Sequence, residues 1–420
     1  MKVVIMAGGK GTRISSVASD IPKPMIKIND KPVLEFEIER LRLQGFNDII
    51  ITVSHLGNII MDYFGDGSKF GVNIEYYNEV EPLGNAGALF KIKDKLTEDF
   101  LLINADAIFD IDFNRLVKYH KEKGGLVTLF THPNSHPYDS GLIIADDNKC
   151  VLKWLAKEDE RPTYYKNRVN AGIHVLSPKV LDVEINTPKI DLDRQLLKPL
   201  ANTGKMFVYD SPEYVKDMGT PDRYYSVCED VKKGIVKQRN LCNKQKAIFL
   251  DRDGTINKYV GFLKNIDEFE LIDGVADAIK MINHSEYLCI VITNQPVIAR
   301  GEVSLEELDE IHNKMQTLLG KEGAFIDALY YCPHHPDKGF VGERIEYKIN
   351  CNCRKPKPGL ILQAAKDYNI DLSASWMIGD GKNDVECGIN AGCKTGLIGN
   401  ELKADINDSS LLEIVKKIIK

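Results

Sequence analysis

The chain has 420 residues, of which 43% are apolar and 28% charged, and its formal net charge is −6. That length suffices for about two or three domains with separate cores. The slight acidity argues against nucleic-acid-binding or anionic-membrane surfaces, both of which favour clustered basic residues. No apolar run approaches about 18 residues, and Lys2 leads directly into a strand-like run, so the sequence predicts no membrane span or signal peptide and favours a cytoplasmic location.

Strand-like apolar runs alternate with helical patterns in the first half of the chain. Residues 3–6 form the first run, and residues 33–43 carry apolar side chains at helical spacing. Further strands are predicted at 49–53, 100–104, 126–130, 141–145 and 172–176. This alternation predicts a mostly parallel sheet covered on both faces.

A polar, charged stretch at 237–246 separates this pattern from a second α/β series. Ser304 and Glu307 form a capping box that predicts a helix reaching residue 319. We therefore predict an α/β protein with domains at 1–236 and 247–420 joined by a linker at 237–246. The strands predicted for the second series are 247–250, 288–292, 328–331, 375–378 and 394–398.

A glycine-rich segment follows the first apolar run. Its glycines let the backbone approach a polyphosphate closely and direct N–H groups at it. Nearby cations would offset the charge that develops on a departing pyrophosphate. The segment is not a P-loop, because Val4 stands where that motif needs a glycine. The predicted nucleotide-binding residues are Ala7, Gly8, Gly9, Lys10, Gly11, Thr12, Arg13 and Lys23, of which Arg13 and Lys23 are also predicted to be catalytic.

The string from Gly8 to Arg13, followed by Pro22-Lys23-Pro24, resembles the loop of sugar-1-phosphate nucleotidyltransferases, and further motifs follow in that family's order over residues 1–230. The resemblance implies a Rossmann-like, glycosyltransferase-A-like sheet. It also implies attack by a sugar-1-phosphate oxygen on the nucleotide α-phosphorus, with pyrophosphate leaving and Mg²⁺ bound by carboxylates. The residues carried over are Gly84 near the base, Asp106 and Asp217 on the metal, and Gly141, Asn170 and Lys157 on the sugar phosphate.

Two stretches depart from that family's pattern. Residues 14–17 read Ile-Ser-Ser-Val where the family usually has Leu-x-Pro-Leu. Residues 156–158 represent the usual Glu-Lys-Pro segment only loosely. Lys157 is therefore either a sugar-phosphate ligand or a solvated lysine.

The second half carries its own set of charged residues at predicted strand ends. Asp251 and Asp253 follow the run 247–250, and both side chains are expected to point into one site. Together with Thr293, Lys355 and Asp380 they resemble the four motifs of haloacid dehalogenase (HAD) superfamily phosphotransferases. This resemblance implies a HAD-like Rossmannoid fold. Only about 38 residues separate Asp253 from the strand ending at Thr293, so no large cap domain fits there.

The HAD resemblance also implies a role for each motif residue. Asp251 attacks phosphorus and becomes an aspartyl phosphate, while Asp253 protonates the leaving alcohol and later activates water. Thr293 and Lys355 hold the phosphoryl oxygens, with Lys357 as the competing motif lysine. Mg²⁺ is assigned to Asp251, Asp253 and Asp380, with the backbone carbonyl near Asp253 as a further ligand.

Three of the nine cysteines form a pattern with a histidine. A Cys-x-His…Cys-x-Cys arrangement suits a closed tetrahedral Zn²⁺ site with a structural role. Its predicted ligands are Cys332, His334, Cys351 and Cys353, with His335 as the alternative histidine. The remaining cysteines are predicted to be small buried residues: Cys150, Cys228, Cys242, Cys289, Cys387 and Cys393.

The zinc pattern and its flanking motifs over 246–400 resemble the D-glycero-D-manno-heptose-1,7-bisphosphate 7-phosphatases, with histidinol phosphatases as close relatives. Pro296 and Val297 depart from that family's usual Ser-Gly. The two resemblances together imply an enzyme that uses heptose phosphates and GTP to make GDP-heptose. The alternatives are a mannose- or glucose-1-phosphate nucleotidyltransferase fused to another phosphatase, and an enzyme with one inactive regulatory domain. The resemblance assigns sugar-phosphate binding to Asn294, Gln295, Arg300 and Arg354, and catalysis also to Arg354.

Overall fold

A computed structural model describes residues 1–8 and 20–419. The chain divides into two compact units: the first comprises residues 1–132, 141–156 and 169–240, and the second comprises 133–140, 157–168 and 241–420. Two segments from the first half of the sequence therefore belong to the second unit. The domain limits 1–236 and 247–420 remain predictions.

The first unit alternates short strands and helices in the order expected for an α/β fold. Its strands are β1 (Val3–Met6), β2 (Lys27–Ile28), β3 (Lys31–Pro32), β4 (Asp48–Val53), β5 (Asn73–Asn78), β6 (Phe100–Asn104), β7 (Ala107–Asp110), β8 (Val127–His132), β9 (Leu142–Ala145), β10 (Val151–Leu155), β11 (Val169–Leu176), β12 (Met206–Asp210) and β13 (Tyr214–Asp217). Its helices are α1 (Val33–Leu43), α2 (Gly57–Phe64), α3 (Gly87–Lys91), α4 (Phe113–Lys123), α5 (Pro221–Lys232) and α6 (Ile235–Gln238).

The main sheet of the first unit is mixed. Its order is β10-β9-β11-β6-β1-β4-β5, with β8 beside β11 and β12 beside β8. Strands β6, β1, β4 and β5 are parallel, but β11 is antiparallel to β6, β8 and β9, and β10 is antiparallel to β9. The prediction of a mostly parallel sheet is thus wrong for this half, because β11 and β10 run antiparallel to their neighbours, and a short connection joins β9 to β10.

Both faces of that sheet are covered. Along β1, Val3 and Ile5 contribute to one apolar cluster, whereas Val4 contributes to the other. Successive side chains of a strand point to opposite faces, so a strand with two buried faces reads as a continuous apolar run. The same logic explains the apolar run at residues 100–103 of β6.

The elements of the second unit are β14 (Lys246–Leu250), α7 (Val275–Asn283), β15 (Tyr287–Asn294), α8 (Leu305–Lys321), β16 (Ala328–Cys332), α9 (Gly359–Tyr368), β17 (Trp376–Gly379), α10 (Lys382–Ala391), β18 (Lys394–Ile398), β19 (Ile406–Asp408) and α11 (Leu411–Ile418). The strands form a six-stranded, wholly parallel sheet in the order β16-β15-β14-β17-β18-β19. The capping box of Ser304 and Glu307 opens α8 as predicted. Between β14 and β15 the chain forms loops, a short 3-10 helix at Ile266–Glu268 and one α-helix, α7, and no inserted cap domain.

Strands β15, β14 and β17 are neighbours, so their carboxyl ends place Thr293, Asp251 and Asp380 at one edge of the sheet. In open parallel sheets this edge is where ligands bind. Within the described ranges, none of the helices has the length and apolar character needed to span a bilayer.

Candidate active sites

Two aspartates meet beside a small two-stranded sheet in the first unit. Strands β7 and β13 pair antiparallel with Asp217 opposite Ala107, and the Met218 N–H donates to the Asp106 carbonyl at 3.3 Å. The structure therefore brings the backbones of Asp106 and Asp217, which are far apart in sequence, next to one another. Carboxylate oxygens in neighbouring positions can bridge Mg²⁺ to a substrate phosphate.

Each of these aspartates has a cationic partner. Lys23 donates to Asp106 Oδ2 at 3.0 Å. Arg223 contacts both carboxylate oxygens of Asp217 at 3.0 and 3.1 Å, and the Gly219 N–H donates to Oδ1 at 2.8 Å. Lys23 thus lies where the motif predicts a cation. Arg223 was not predicted, because it lies beyond residues 217–221 (Asp-Met-Gly-Thr-Pro), the stretch that resembles the family's element with a second metal-binding Asp.

Gly84 lies in a segment whose backbone is hydrogen-bonded to Ile190 of a neighbouring loop. Its φ is +83°, and a Cβ there would lie 2.3 Å from the Ile190 carbonyl oxygen. The backbone bonds between Ala86 and Ile190 and between Ile190 and Leu83 close this contact at 3.0 and 2.8 Å. Only glycine fits this close approach.

The other predicted residues of the first site lie in several places. Asn170 donates its N–H to the Gly141 carbonyl at 3.1 Å, so these two predicted sugar contacts are neighbours. Lys157 is exposed. Ala7 is anchored to Thr52, and the Gly8 carbonyl accepts from Ser54 Oγ at 2.6 Å. The predicted residues outside the described part of the chain are Gly9, Lys10, Gly11, Thr12 and Arg13.

In the second unit a buried lysine joins two aspartates. Lys355 Nζ lies 2.7 Å from Asp251 Oδ1 and 2.6 Å from Asp384 Oδ1. Burial lowers the pKa of Lys355, but the two carboxylates outweigh burial and raise it. The competing Lys357 instead donates to Asn350 Oδ1 and to the Cys351 carbonyl. Of the two lysines, Lys355 therefore occupies the site.

Asp251, Asp380 and Asp384 form a cluster whose ligand oxygens all lie within 4.8 Å of one another. Burial raises the pKa of Asp251 to about 7; Lys355 opposes this shift, and Asp384 adds to it. Burial, and then the charge of Asp384, also raises the pKa of Asp380. Clustered carboxylates are a suitable ligand set for Mg²⁺, whose charge would offset their repulsion.

A glycine permits the close approach of this cluster to the loop that carries Asp251 and Asp253. Gly254 has a φ of +83°, and a Cβ there would lie 2.0 Å from Asp380 Oδ2. Asp380 could not occupy its position beside any residue larger than glycine. The glycine that follows Asp251-Arg252-Asp253 is therefore required by sterics.

The side chain of Asp253 belongs to a different network. It is bonded by Arg252, by Gln295 Nε2 at 2.9 Å and by Asn257 Nδ2 at 3.1 Å. Gln295 also donates to Thr293 Oγ1 at 2.8 Å. The side-chain metal cluster thus contains Asp384 in place of Asp253, and the assignment of Asp253 to Mg²⁺ stays a prediction.

Asn294 and two arginines lie around this core of the site. The Asn294 side chain bonds both the N–H and the carbonyl of Lys355, at 3.0 and 3.1 Å, so it fixes the lysine's backbone. The guanidinium carbon of Arg300 lies over the Phe262 and Phe340 rings, 4.0 and 4.2 Å from their centroids. Arg354 donates to the His334 carbonyl at 3.3 Å. Contact with two aromatic faces restricts the Arg300 guanidinium and favours its charge.

The four predicted zinc ligands converge in one place. The Sγ atom of Cys353 lies 3.2 Å from Cys351 Sγ, 3.3 Å from Cys332 Sγ and 3.2 Å from His334 Nδ1. A tetrahedral ion with bonds of roughly 2.0 to 2.3 Å needs ligand atoms separated by roughly 3.5 to 3.8 Å. The observed spacings are close to that range. His335 Nδ1 instead accepts from the Asp337 N–H.

The nucleotidyl transferase family model matches residues 2–234, and a HAD-hydrolase-like model matches residues 352–410. A D-glycero-β-D-manno-heptose-1,7-bisphosphate 7-phosphatase of Haemophilus ducreyi is 40% identical over 181 residues, which cover 41% of this chain and 97% of the relative. The chain belongs to the nucleotidyl transferase family and to this phosphatase family.

The relatives of the nucleotidyl transferase part differ in nucleotide and sugar. A UTP–glucose-1-phosphate uridylyltransferase of Synechocystis is 37% identical over 221 residues, covering 49% of this chain and 57% of the relative. A probable mannose-1-phosphate guanylyltransferase of rice is 30% identical over 230 residues, covering 53% of this chain and 63% of the relative. The chain thus spans about three fifths of the length of these two relatives.

Three residues of the phosphatase part were missed by sequence reasoning. Asp384 lies within the Gly-Asp-Gly-Lys-Asn-Asp string, and its position four residues after Asp380 at a helix start is a usable signal. Arg252 lies between the two predicted aspartates, and His312 lies on α8 among apolar residues. Neither residue belongs to a sequence pattern whose spacing indicates a function.

The cysteines outside the zinc pattern differ in burial. Cys289, Cys387 and Cys393 are buried as predicted, Cys150 and Cys228 are half-buried, and Cys242 is exposed. The prediction of a buried residue is therefore wrong for Cys242, which lies in the polar stretch between the two α/β series.

Proposed function

We propose that the chain activates a heptose in two consecutive reactions. The phosphatase part removes the 7-phosphate of D-glycero-D-manno-heptose 1,7-bisphosphate. The nucleotidyl transferase part then joins the heptose 1-phosphate to GMP from GTP and releases pyrophosphate. The observation that carries this proposal is the 40% identity over 97% of a heptose bisphosphate phosphatase. Fusion of consecutive steps accounts for the presence of both parts in one chain.

The choice of guanine rests on sugar stereochemistry and on fold. A manno-heptose has the ring configuration of mannose, and one relative is named for guanylyl transfer to mannose 1-phosphate. By what the family resemblance implies, ADP-heptose is made by enzymes of a different, cytidylyltransferase-like fold. The nucleotidyl transferase family of this chain therefore favours GDP-heptose as the product. The similarity to a UTP–glucose-1-phosphate uridylyltransferase favours a second candidate, which is the transfer of UMP from UTP to a hexose 1-phosphate with release of pyrophosphate.

A substrate matrix tests the two candidates. Purified protein is incubated with GTP, ATP, CTP or UTP and with heptose, mannose or glucose 1-phosphate, in both anomers, while pyrophosphate is measured. We expect turnover with GTP and heptose 1-phosphate to exceed the other combinations by about tenfold or more, because unfilled polar contacts reduce turnover of the wrong substrate. Turnover confined to UTP and glucose 1-phosphate would instead establish the second candidate.

We further propose Mg²⁺ in both parts and zinc in the phosphatase part. In the phosphatase part, Asp251, Asp380 and Asp384 would hold Mg²⁺, with Lys355 neutralising the remaining charge. In the nucleotidyl transferase part, Asp106 and Asp217 would hold it. Bound Mg²⁺ supplies charge neutralisation for the transferring phosphoryl group. We place both reactions in the cytoplasm.

The zinc proposal rests on the donor set of Cys332, His334, Cys351 and Cys353. Three thiolates and one imidazole complete a four-coordinate shell with no open position, which suits a structural ion. Cys353 immediately precedes Arg354 and Lys355, so the ion would fix the start of the segment that delivers the catalytic lysine. The metal would therefore act on phosphatase activity through loop order.

Purified protein is expected to contain about one tightly bound zinc ion per chain. Cys351→Ser should lose the ion and reduce phosphatase activity roughly tenfold or more, while pyrophosphate release changes by less than about twofold, because all four ligands lie in the second unit. Cys242→Ser, at an exposed cysteine outside the cluster, is the matched control. Elemental analysis that finds no zinc in freshly purified active protein would refute this proposal.

A further inference from the structure

Arg252, which lies between Asp251 and Asp253, is fully buried with 0% exposure. Its Nη2 atom donates to Asp253 Oδ1 and Oδ2 at 3.0 and 2.9 Å and to Gln295 Oε1 at 3.0 Å. Its Nη1 atom lies 3.1 Å from His312 Nε2. A buried guanidinium is tolerated only when it is paired and hydrogen-bonded, so the surroundings of Arg252 must supply these partners.

His312 closes this network from α8. Burial, then the charge of Arg252 and then that of Lys166, lower the pKa of His312 well below its usual range, so the ring is neutral. An arginine has no acceptor atom, so Nε2 must accept and Nδ1 must carry the proton. His312 also lies against the Tyr331 ring, with centroids 5.5 Å apart, which restricts the imidazole further.

The network converges on the carboxylate of Asp253. Arg252, Gln295 and Asn257 all donate to it, and Gln295 links it to Thr293 as well. A side chain held by three different donors has little rotational freedom. Catalytic proton transfer needs that restriction, because a general acid must lie within about 2.6–3.2 Å of the leaving oxygen.

We propose that Arg252 and His312 are positioning residues that orient Asp253 for proton transfer in the phosphatase reaction. This inference rests on the proposed phosphatase function. As Asp251 forms a bond to phosphorus and the bond to the alcohol oxygen breaks, Asp253 gives its proton to that oxygen. Water then attacks the phosphorus of the aspartyl phosphate and gives a proton to Asp253. The bond between phosphorus and Asp251 breaks, so inorganic phosphate leaves and the Asp251 carboxylate is restored.

The test uses His312, because a substitution at Arg252 would leave Asp253 without its buried partner and would test folding as well. In the full chain His312→Leu removes the acceptor, whereas His312→Gln offers Oε1 in its place. Each protein is assayed with a series of aryl phosphates of graded leaving-group pKa and with the heptose bisphosphate. An aryl oxygen that leaves readily needs little protonation, whereas an alkyl oxygen needs it fully.

We expect His312→Leu to reduce kcat for the heptose bisphosphate about tenfold and kcat for p-nitrophenyl phosphate by less than about twofold, with a steeper dependence of rate on leaving-group pKa. His312→Gln should restore most of the loss. An equal reduction for every substrate, or an unchanged series, would overturn the positioning role. Failure of the wild-type protein to hydrolyse the heptose bisphosphate would instead defeat the proposed substrate, and the aryl series would still test Asp253.

Discussion

Asp251→Asn is expected to reduce phosphate release by about a thousandfold or more, while pyrophosphate release stays within about twofold of wild type. The amide has nearly the shape of the carboxylate but is a poor nucleophile and a weaker metal ligand. The fold should persist, because Lys355 keeps its contact with Asp384 at 2.6 Å. Both products are measured on one preparation, and thermal unfolding is followed alongside.

The matched control is Asp277→Asn, at an aspartate whose side chain is 64% exposed and pairs with Lys280 on the surface of α7. It should leave both activities unchanged. Phosphate release near the wild-type rate in Asp251→Asn would show that another residue attacks phosphorus. Loss of both activities together would show that pyrophosphate release also depends on Asp251, although the two reactions are assigned to different residues.

Sequence reasoning can locate a strand, a helix start or a motif when the signal lies in neighbouring positions. The apolar run of β14 followed by Asp251, and the Cys-x-Cys pair at 351–353, carry their signal within a few positions. The capping box at Ser304 is equally local, since both partners lie in one helical turn. Elements and motif residues of this kind could be placed before the structure was known.

Features that depend on distant partners could not be predicted in the same way. Arg252 meets His312 across 60 positions, and the pairing of β7 with β13 that joins Asp106 to Asp217 spans more than 100. The segment 157–168 belongs to the second unit through bonds such as Tyr165 to Thr317 and Asn167 to Gln316. Nothing in its composition indicates this partner, because polar loop residues can pair with any complementary surface.

Lys355 and Lys357 illustrate the limit most directly. Both follow the predicted zinc ligand Cys353 within a few residues, and sequence proximity favours Lys355 without excluding Lys357. The choice is made by Asn294, which bonds both backbone groups of Lys355 from the end of β15. The contact between Asn294 and the Lys355 backbone thus favours the ammonium group of Lys355, rather than that of Lys357, in the site.

Asp106→Asn is expected to reduce pyrophosphate release roughly a hundredfold or more and to leave phosphate release unchanged. If Asp106 binds Mg²⁺, the variant should also need several times more Mg²⁺ for half-maximal rate, because a neutral amide is a weaker ligand for a hard cation. Pyrophosphate release is measured across a Mg²⁺ titration. Asp147→Asn, at an exposed aspartate in the same unit, is the matched control.

Lys23 allows the metal-binding role to be separated from simple charge balance. It lies 3.0 Å from Asp106 Oδ2, so either substitution breaks the same ion pair. Lys23→Ala should lower kcat without raising the Mg²⁺ requirement, because it removes a cation from the phosphates and leaves the carboxylate on the metal. Asp106→Asn and Lys23→Ala could instead shift the Mg²⁺ requirement equally, or neither variant could shift it. Either result would show that Asp106 acts by holding Lys23 and that the metal binds elsewhere.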